Sequence, residues 1–310
     1  MLFRQLEYFV AVAEERHFAR AAEKCYVSQP ALSAAIAKLE RELDVTLIKR
    51  GRSFEGLTPE GERLLVWAKR ILAEHDIFRA ELRAMQSGEI AGTLRLGTIP
   101  TASTTSSLVI SSFCSAHPRA KVQIRSQLAT SDLYRRLRAF ELDAAIAPVA
   151  PEESQGLDVV PLYEDRYVFV VPTDMLAEDA LTLRWVDAGQ YPLALLTPDM
   201  RVRQVIDATF AHHGITVSPQ VETDSVSTLL AQSASGDRAC IVPQTWLWTN
   251  LMSAGLRAVE LVDPSLETQI AAAVNSKGPR SPLARAFVAS AQHLKLGEFF
   301  AKRLGGLYRR

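Results

Sequence analysis

The chain has few cysteines, no long apolar run and no excess of charge of either sign. Its three cysteines are too few and too scattered for a disulfide framework and fit a reducing compartment. The 35 basic residues balance the 35 acidic residues, so net charge does not point to nucleic acid or to an acidic partner. No apolar run reaches the ~18 residues that a membrane span needs. Composition therefore predicts a cytoplasmic protein without a membrane segment.

The sequence also lacks the motifs of common enzyme classes. It has no G-x-S-x-G, no G-x-G-x-x-G and no P-loop, and its six histidines are dispersed apart from His212–His213. An exported solute-binding protein would need a signal peptide, but residues 1–15 are amphipathic and acidic. Enzyme and solute carrier remain alternatives, and no catalytic residue, metal or cofactor is predicted.

Two regions of the chain differ in their sequence pattern. Up to about residue 90 it is helical in pattern, with one turn-prone interruption at Lys49–Gly61. From Gly92, short aliphatic or β-branched runs alternate with helical stretches, which favours an α/β fold with a largely parallel sheet. The two glycines of Ser87–Gly92 end the last long helical pattern and mark the boundary.

The segment Cys25–Glu40, CYVSQPALSAAIAKLE, predicts a helix that begins with a proline. Ser28 is the expected N-cap, and Gln29 and Pro30 fall in the first turn, where proline gives up no hydrogen bond. A shorter helix lies just upstream, so the pair predicts a helix-turn-helix whose second helix points its first residues at base edges; an ordinary αα-hairpin is the alternative. The apolar residues of the second helix form one predicted stripe: Leu32, Ile36, Leu39 and Leu43.

The front of this helix carries the groups expected to read bases. Gln29 suits adenine, Ser33 suits either kind of edge, and Pro30 stiffens the tip and offers an apolar surface. The basic, Gly-flanked loop at residues 49–52 is expected to act as a wing on the phosphate backbone or in the minor groove; a solvated surface is the alternative. The predicted DNA-binding residues are Ser28, Gln29, Pro30, Ser33, Lys38, Lys49, Arg50, Arg52 and Thr58.

Residues 17–65 resemble the winged helix-turn-helix of LysR-type transcriptional regulators. They carry its AA-x5-SQPALS core, its I-x-x-LE-x-x-L continuation, its L-x-x-R and its LTPEG ending. The resemblance extends over the whole chain, because such regulators add a long linker helix and a two-lobed α/β effector domain like that of periplasmic binding proteins. It implies a winged helix-turn-helix at 1–58, a linker helix at 59–90, lobe I at 91–162 and 266–310, and lobe II at 163–265.

Thr58 and Pro59 are the expected N-cap and first residue of that linker helix. Its apolar residues form a heptad seam suited to pairing with a second copy, although packing on its own domain is the alternative. The resemblance implies a dimer, and further a tetramer, that binds and bends double-stranded operator DNA, with RNA polymerase as a further partner. The predicted seam consists of Leu64, Ala68, Ile71, Phe78, Leu82 and Met85.

Hydroxyl side chains follow the first two predicted strands of the α/β region, in TIPTASTTSS and ATSDLYRRL. In α/β sheets, ligands bind at this end of the strands, although the same hydroxyls also cap helices. By resemblance both loops line the effector cleft. Arg201 and Arg203, in PDMRVRQ, are candidates to supply charge for an anionic ligand, with exposed surface arginines as the alternative. The predicted effector-binding residues are Thr101, Ser103, Thr130, Ser131 and Arg201.

The amino-terminal run is also similar to the OxyS-like oxidative-stress group of the family. The paired sensing cysteines familiar from OxyR are absent from the second lobe, where Cys240 stands alone in an apolar run. Cys25 occupies a position where relatives place leucine, which favours a core role, but its oxidation would disturb packing, so it is the candidate redox thiol. The sequence thus predicts a homo-oligomeric, DNA-binding regulator that responds to a small-molecule or oxidative signal.

Overall fold

The chain divides into two compact units in a computed structural model. One unit is formed mainly by residues 1–89 and the other mainly by residues 90–304. No helix in the part of the chain that the structure describes is long and apolar enough to cross a membrane. The described residues are 1–50, 54–149, 151–177, 179–248, 255–276 and 280–304.

The amino-terminal unit packs three helices, a two-stranded hairpin and the start of a long helix around one core. Helices α1 and α2 each contact α3, and the core includes fully buried Phe9, Leu32 and Ile36. The elements are α1 (Phe3–Glu15), α2 (Phe18–Lys24), α3 (Gln29–Leu43), β1 (Ile48–Arg50), β2 (Phe54–Leu57) and α4 (Pro59–Ser87).

Helix α3 begins as the sequence predicts. The Ser28 hydroxyl accepts a hydrogen bond from the backbone N–H of Ala31 at 3.4 Å, and Pro30 lies in the first turn. The predicted apolar stripe is buried at Leu32, Ile36 and Leu39. The prediction is wrong at Leu43, which is 38% exposed. The helix ends at this residue, because the next one, Asp44, adopts the left-handed conformation (φ 54°).

The N-cap and first residue predicted for α4 are also confirmed. The Thr58 hydroxyl accepts a hydrogen bond from the N–H of Gly61 at 3.0 Å, and Pro59 begins a helix of 29 residues. A side chain at Gly61 would not fit, since its Cβ would lie 2.1 Å from the carbonyl oxygen of Leu47. The glycine of the LTPEG motif therefore lets α4 pack directly against the chain that leads into β1.

The second unit consists of two α/β lobes, which confirms the predicted fold class. One buried apolar cluster runs through both lobes. The helices are α5 (Ser103–Ala116), α6 (Thr130–Arg138), α7 (Trp185–Ala188), α8 (Arg201–His212), α9 (Val226–Ala234), α10 (Pro282–His293) and α11 (Leu296–Leu304). The strands are β3 (Gly92–Thr98), β4 (Ala120–Arg125), β5 (Ala144–Pro148), β6 (Leu157–Pro172), β7 (Thr182–Arg184), β8 (Leu193–Leu196), β9 (Val221–Thr223), β10 (Ala239–Pro243), β11 (Leu256–Val262) and β12 (Glu267–Asn275).

Strand β6 joins the two lobes. Residues 157–166 pair with β12 in lobe I, where the strand order is β4-β3-β5-β12-β6. Residues 167–172 pair with β10 and β11 in lobe II, where the order is β6-β10-β8-β9 and β11 also pairs with β7. Pairing is parallel within β4-β3-β5 and within β10-β8-β9 but antiparallel at β6 and β12. The predicted parallel sheet is thus interrupted where the chain crosses between the lobes.

Candidate nucleic-acid interface and effector cleft

The first turn of α3 presents an exposed polar tip. Ser28, Gln29 and Pro30 are all exposed, and the Gln29 amide Nε2 donates a hydrogen bond to the Ser33 hydroxyl at 3.0 Å. Because an amide nitrogen carries two hydrogens, Gln29 keeps one N–H donor and its carbonyl oxygen free. Those two groups are the pair that reads adenine. Ser33 therefore orients the Gln29 side chain without consuming the groups that bidentate readout needs.

Basic side chains lie along the rest of α3. Lys38 is exposed, with its Nζ 4.0 Å from a carboxylate oxygen of Glu42. Arg41 is exposed and forms no ion pair among the described residues. It lies eight residues after Ser33 and hence on the same face of the helix. Arg41 is not among the residues predicted from the sequence, although it continues the four-residue spacing from Ser33 through Ala37.

The β1–β2 hairpin follows α3 as a short wing. Its strands are antiparallel, with Ile48 opposite Leu57, and Lys49 is exposed. The Glu40 carboxylate accepts hydrogen bonds from the N–H groups of Leu47 (2.9 Å) and Ile48 (3.3 Å), which ties the hairpin to α3. This explains the glutamate of the I-x-x-LE motif. The backbone of Arg50 ends β1, while its side chain and all of Arg52 lie outside the described residues.

Thr58, a predicted DNA contact, has a structural role in the amino-terminal unit. Its hydroxyl donates a hydrogen bond to the carbonyl oxygen of Thr46 at 2.6 Å and accepts one from the N–H of Gly61. The hydroxyl therefore acts both as a donor and as an acceptor within the amino-terminal unit. The Thr58 side chain caps α4 and holds the loop ahead of β1.

The apolar residues of α4 divide between the core of their own unit and the exposed surface. Ala68 is fully buried in that core, so it adds no area to a seam, and Trp67 beside it is 58% exposed. This corrects the predicted seam at one position, because the helix turns Ala68 inward and Trp67 outward. Of the other predicted seam residues, Leu64 and Ile71 are partly buried in the same core, whereas Phe78, Leu82 and Met85 are exposed.

A cleft between the two lobes of the second unit contains two adjoining chambers. The outer chamber has a volume of about 380 Å³ and the inner chamber about 260 Å³. The residues that line both are Ile99, Thr101, Arg201 and Val202. Since the chambers lie beyond the carboxyl ends of β3, β5, β8 and β10, they occupy the position where α/β sheets bind ligands.

The outer chamber brings four of the predicted effector-binding residues together: Thr101, Thr130, Ser131 and Arg201. The Thr130 hydroxyl is buried and has no hydrogen-bond partner among the described residues, which is unusual for a buried polar group. Ser103 does not line either chamber. Its hydroxyl instead donates to the carbonyl oxygen of Pro100 at 2.7 Å, so its predicted ligand contact gives way to a local turn.

The two arginines of the PDMRVRQ segment have different environments. Arg203 is buried and satisfied by Asp207 (2.7 Å), Glu222 (2.8 Å) and the Leu196 carbonyl (2.7 Å). Arg201 is exposed in the cleft and forms no ion pair among the described residues. Arg201 therefore supplies the cleft with a positive charge that forms no ion pair among the described residues, and Arg203 holds lobe II together.

The inner chamber contains a buried carboxyl group, Asp165, that is not among the residues predicted from the sequence. Asp165 lies on β6, and its oxygens accept hydrogen bonds from the Thr245 hydroxyl (2.7 Å) and backbone N–H (3.3 Å). Burial raises the pKa of Asp165 from 3.8 to about 7, although the hydrogen bonds from Thr245 act in the opposite direction. Burial also raises the pKa of the neighbouring Tyr163 well above its usual value. A charged residue next to the apolar run YVFVV was the signal available in the sequence.

All three cysteines are free thiols. Burial, with a smaller contribution from the Glu7 carboxylate, raises the pKa of the half-buried Cys25. Cys240 is fully buried in β10, and burial raises its pKa to about 12. Because the thiolate is the nucleophile that attacks peroxide, both environments lower the reactivity of these two thiols at neutral pH.

Comparison with known proteins agrees with these two sites. Residues 3–62 match the family model described as "Bacterial regulatory helix-turn-helix protein, lysR family", and residues 87–295 match "LysR substrate binding domain". The chain belongs to the LysR family. A relative from Streptomyces viridosporus named "Probable hydrogen peroxide-inducible genes activator" is 31% identical over 280 residues, which cover 89% of each chain.

Solved structures of other LysR-family regulators share the fold. "Full-length OxyR C199D from pseudomonas aeruginosa" superposes with a TM-score of 0.76 at 26% identity and covers 94% of this chain and 95% of its own. CbnR in complex with its target DNA gives a TM-score of 0.66 at 24% identity, over 94% and 99% of the two chains. The chain is accordingly a LysR-type, sequence-specific DNA-binding transcriptional regulator whose second domain receives an effector signal.

Proposed function

We propose that paired copies of this regulator read a two-part operator in the cytoplasm, without catalysing a reaction. The observation that carries this is the exposed, pre-oriented tip of α3, where Gln29 keeps two groups free for an adenine edge. Pro30 and Ser33 flank Gln29 on the reading face. Lys38, Arg41 and Lys49 are exposed cations placed for phosphate contacts.

The exposed apolar face of α4 supports pairing with a second copy. Trp67, Phe78, Leu82 and Met85 remain more than a third exposed although they are large and apolar. Burying them against the same residues of a partner removes apolar surface from water, which favours a dimer. Two copies then place two α3 helices on half-sites one helical turn, ~34 Å, or a multiple of it apart. A tetramer follows if two such dimers associate.

We further propose that a small molecule in the cleft controls DNA binding. Thr130 belongs to lobe I and Arg201 to lobe II, so a ligand that touches both favours one arrangement of the lobes. The name of the Streptomyces relative supports peroxide as a second candidate signal. The raised pKa of Cys25 and of Cys240 argues against a thiol route through either residue.

Footprinting of the DNA upstream of the gene tests this function. With the full-length protein we expect two protected half-sites, and a metabolite extract should change the pattern for the wild type but not for Arg201→Gln. Hydrogen peroxide should act equally on the wild type and on Cys25→Ser. Absence of any footprint would contradict the regulator function, while a peroxide effect that disappears in Cys25→Ser would establish the thiol route instead.

A further inference from the structure

The outer chamber of the cleft carries charges of both signs. Arg201 is its cation, while Asp199 and Asp224 line it from lobe II without an ion pair among the described residues. A third carboxylate, Glu153, already interacts with another group. A purely anionic ligand would meet these carboxylates, and a purely cationic ligand would leave Arg201 without a partner. The chamber's charges thus fit a ligand that carries both.

An acidic group on such a ligand has defined partners in the chamber. The buried Thr130 hydroxyl has no hydrogen-bond partner among the described residues and lies in the first turn of α6. Arg201 begins α8 on the other lobe, and the N-cap residue Met200 contributes no side-chain hydrogen bond to that helix. First-turn N–H groups and an arginine both bind carboxylate oxygens. Thr130 and Arg201 are therefore the candidate partners of a ligand carboxylate.

An ammonium group has partners on the lobe II side. Asp199 lies just before α8, and Asp224 just before the N-cap Ser225 of α9; both side chains are exposed. Two carboxylates that lack a cation are the chemistry that holds a protonated amine. The remaining wall of the chamber includes Ile99, Leu128 and Val202, which suit a hydrocarbon side chain.

We propose that the outer chamber binds a zwitterion of the α-amino-acid class with an apolar side chain. Its carboxylate bridges Arg201 and Thr130, and its ammonium group lies against Asp199 and Asp224. This inference rests on the proposed control of DNA binding by the cleft. It adds the chemical class of the signal, and it explains why one chamber holds an unpaired arginine and two unpaired carboxylates.

Thermal-shift and calorimetric titrations of the full-length protein test the class directly. The protein amino acids are titrated first, together with the matched set L-leucine, 4-methylpentanoate and 3-methylbutylamine, which differ only in the two charged groups. We expect an apolar amino acid to raise Tm and to bind at least ~10-fold more tightly than its carboxylate-only and amine-only analogues. If either analogue binds as tightly as the amino acid, or if no amino acid changes Tm, the proposal of a zwitterionic ligand is overturned.

Variants that remove a charge identify which residues bind the carboxylate of the ligand and which bind its ammonium group. Arg201→Gln should weaken the amino acid at least ~10-fold, and the double variant Asp199→Asn, Asp224→Asn should weaken it while strengthening 4-methylpentanoate. Arg238→Gln is the matched control, because Arg238 precedes β10 and the cleft lies beyond the other end of that strand. If Arg201→Gln binds the amino acid like the wild type, the site is wrong.

The experiments distinguish two proposals: that the ligand is a zwitterion, and that the cleft controls DNA binding. A ligand of another class that needs Arg201 and changes the footprint overturns the amino-acid class but leaves the cleft as the effector site. An Arg201→Gln protein that gives the wild-type footprint response to metabolite extract contradicts the effector site itself. An amino acid that both binds through Arg201 and changes the footprint supports the two proposals together.

Discussion

Gly61 shows at the scale of one residue how the amino-terminal unit is held together. It is buried in the first turn of α4, where the helix meets the carbonyl oxygen of Leu47. The same stretch of chain, residues 46–48, is held by the Thr58 hydroxyl and by the Glu40 carboxylate. The close contact of Gly61, the Thr58 hydroxyl and the Glu40 carboxylate therefore together fix the segment that leads into the β1–β2 wing.

A single methyl group at Gly61 should loosen this junction. We expect Gly61→Ala to destabilise the amino-terminal unit by about 2 kcal/mol, because the Cβ overlaps a backbone atom that cannot rotate away. Thermal unfolding of the full-length protein followed by circular dichroism measures the loss. Gly297→Ala in α11 is the control, since its Cβ meets no atom within 4 Å and should leave stability unchanged or higher by up to ~1 kcal/mol. Equal Tm values for the two variants would refute the close-packing explanation.

Strand β6 is the element on which the two-lobed domain depends. It pairs with lobe I along one part of its length and with lobe II along the other, and Asp165 lies two residues before that change of partner. The Asp165 side chain is fully buried and bonded to Thr245, which follows β10 of lobe II. A titrating group thus lies where the lobes join.

Stability of the effector domain should fall as pH rises through this group's range. Because the folded-state pKa of Asp165, about 7, exceeds its ordinary value of 3.8, the folded protein binds more protons between these values than the unfolded chain. The free energy of unfolding should therefore decrease by up to about 4 kcal/mol from pH 4 to pH 8 owing to this residue.

Denaturation curves across this pH range for the wild type and Asp165→Asn measure the effect. The asparagine keeps an oxygen that accepts the Thr245 hydrogen bonds but does not titrate, so the variant should gain stability relative to the wild type as pH rises. Asp174→Asn, which changes an exposed aspartate, is the control for the loss of one carboxylate. A constant difference between Asp165→Asn and the wild type at all pH values would exclude proton binding by buried Asp165.

Local patterns predicted the elements better than the contacts of individual side chains. Ser28, Pro30 and the Thr58 cap follow from rules that act within one helical turn, and they are confirmed. The second partner of Thr58 is Thr46, twelve residues away, and a one-residue difference in helix phase decides that Ala68 turns inward and Trp67 outward. Such partners depend on tertiary packing, which the local pattern does not contain.

At the scale of the whole molecule, the family motif predicted the two-lobed architecture, whereas the cleft's chemistry required the fold. Thr101, Thr130 and Arg201 are separated in sequence, and the loops at the ends of different strands bring them to one chamber. Asp165 and Thr245 are eighty residues apart and meet only because β6 lies next to β10. Arg203 was indistinguishable from Arg201 in the sequence, because the carboxylates that neutralise it, Asp207 and Glu222, lie on α8 and β9.

Reading of bases by the tip of α3 is tested most directly by equilibrium binding of the full-length protein to its footprinted site and to a scrambled duplex, over a salt series. The wild type should prefer its site by at least ~10³-fold. Gln29→Ala should lose ~1–3 kcal/mol of that preference with the salt slope unchanged, whereas Lys49→Ala should weaken both duplexes equally and reduce the slope by about 1. Equal affinity of the wild type for both duplexes, or an unchanged preference in Gln29→Ala, would contradict the account.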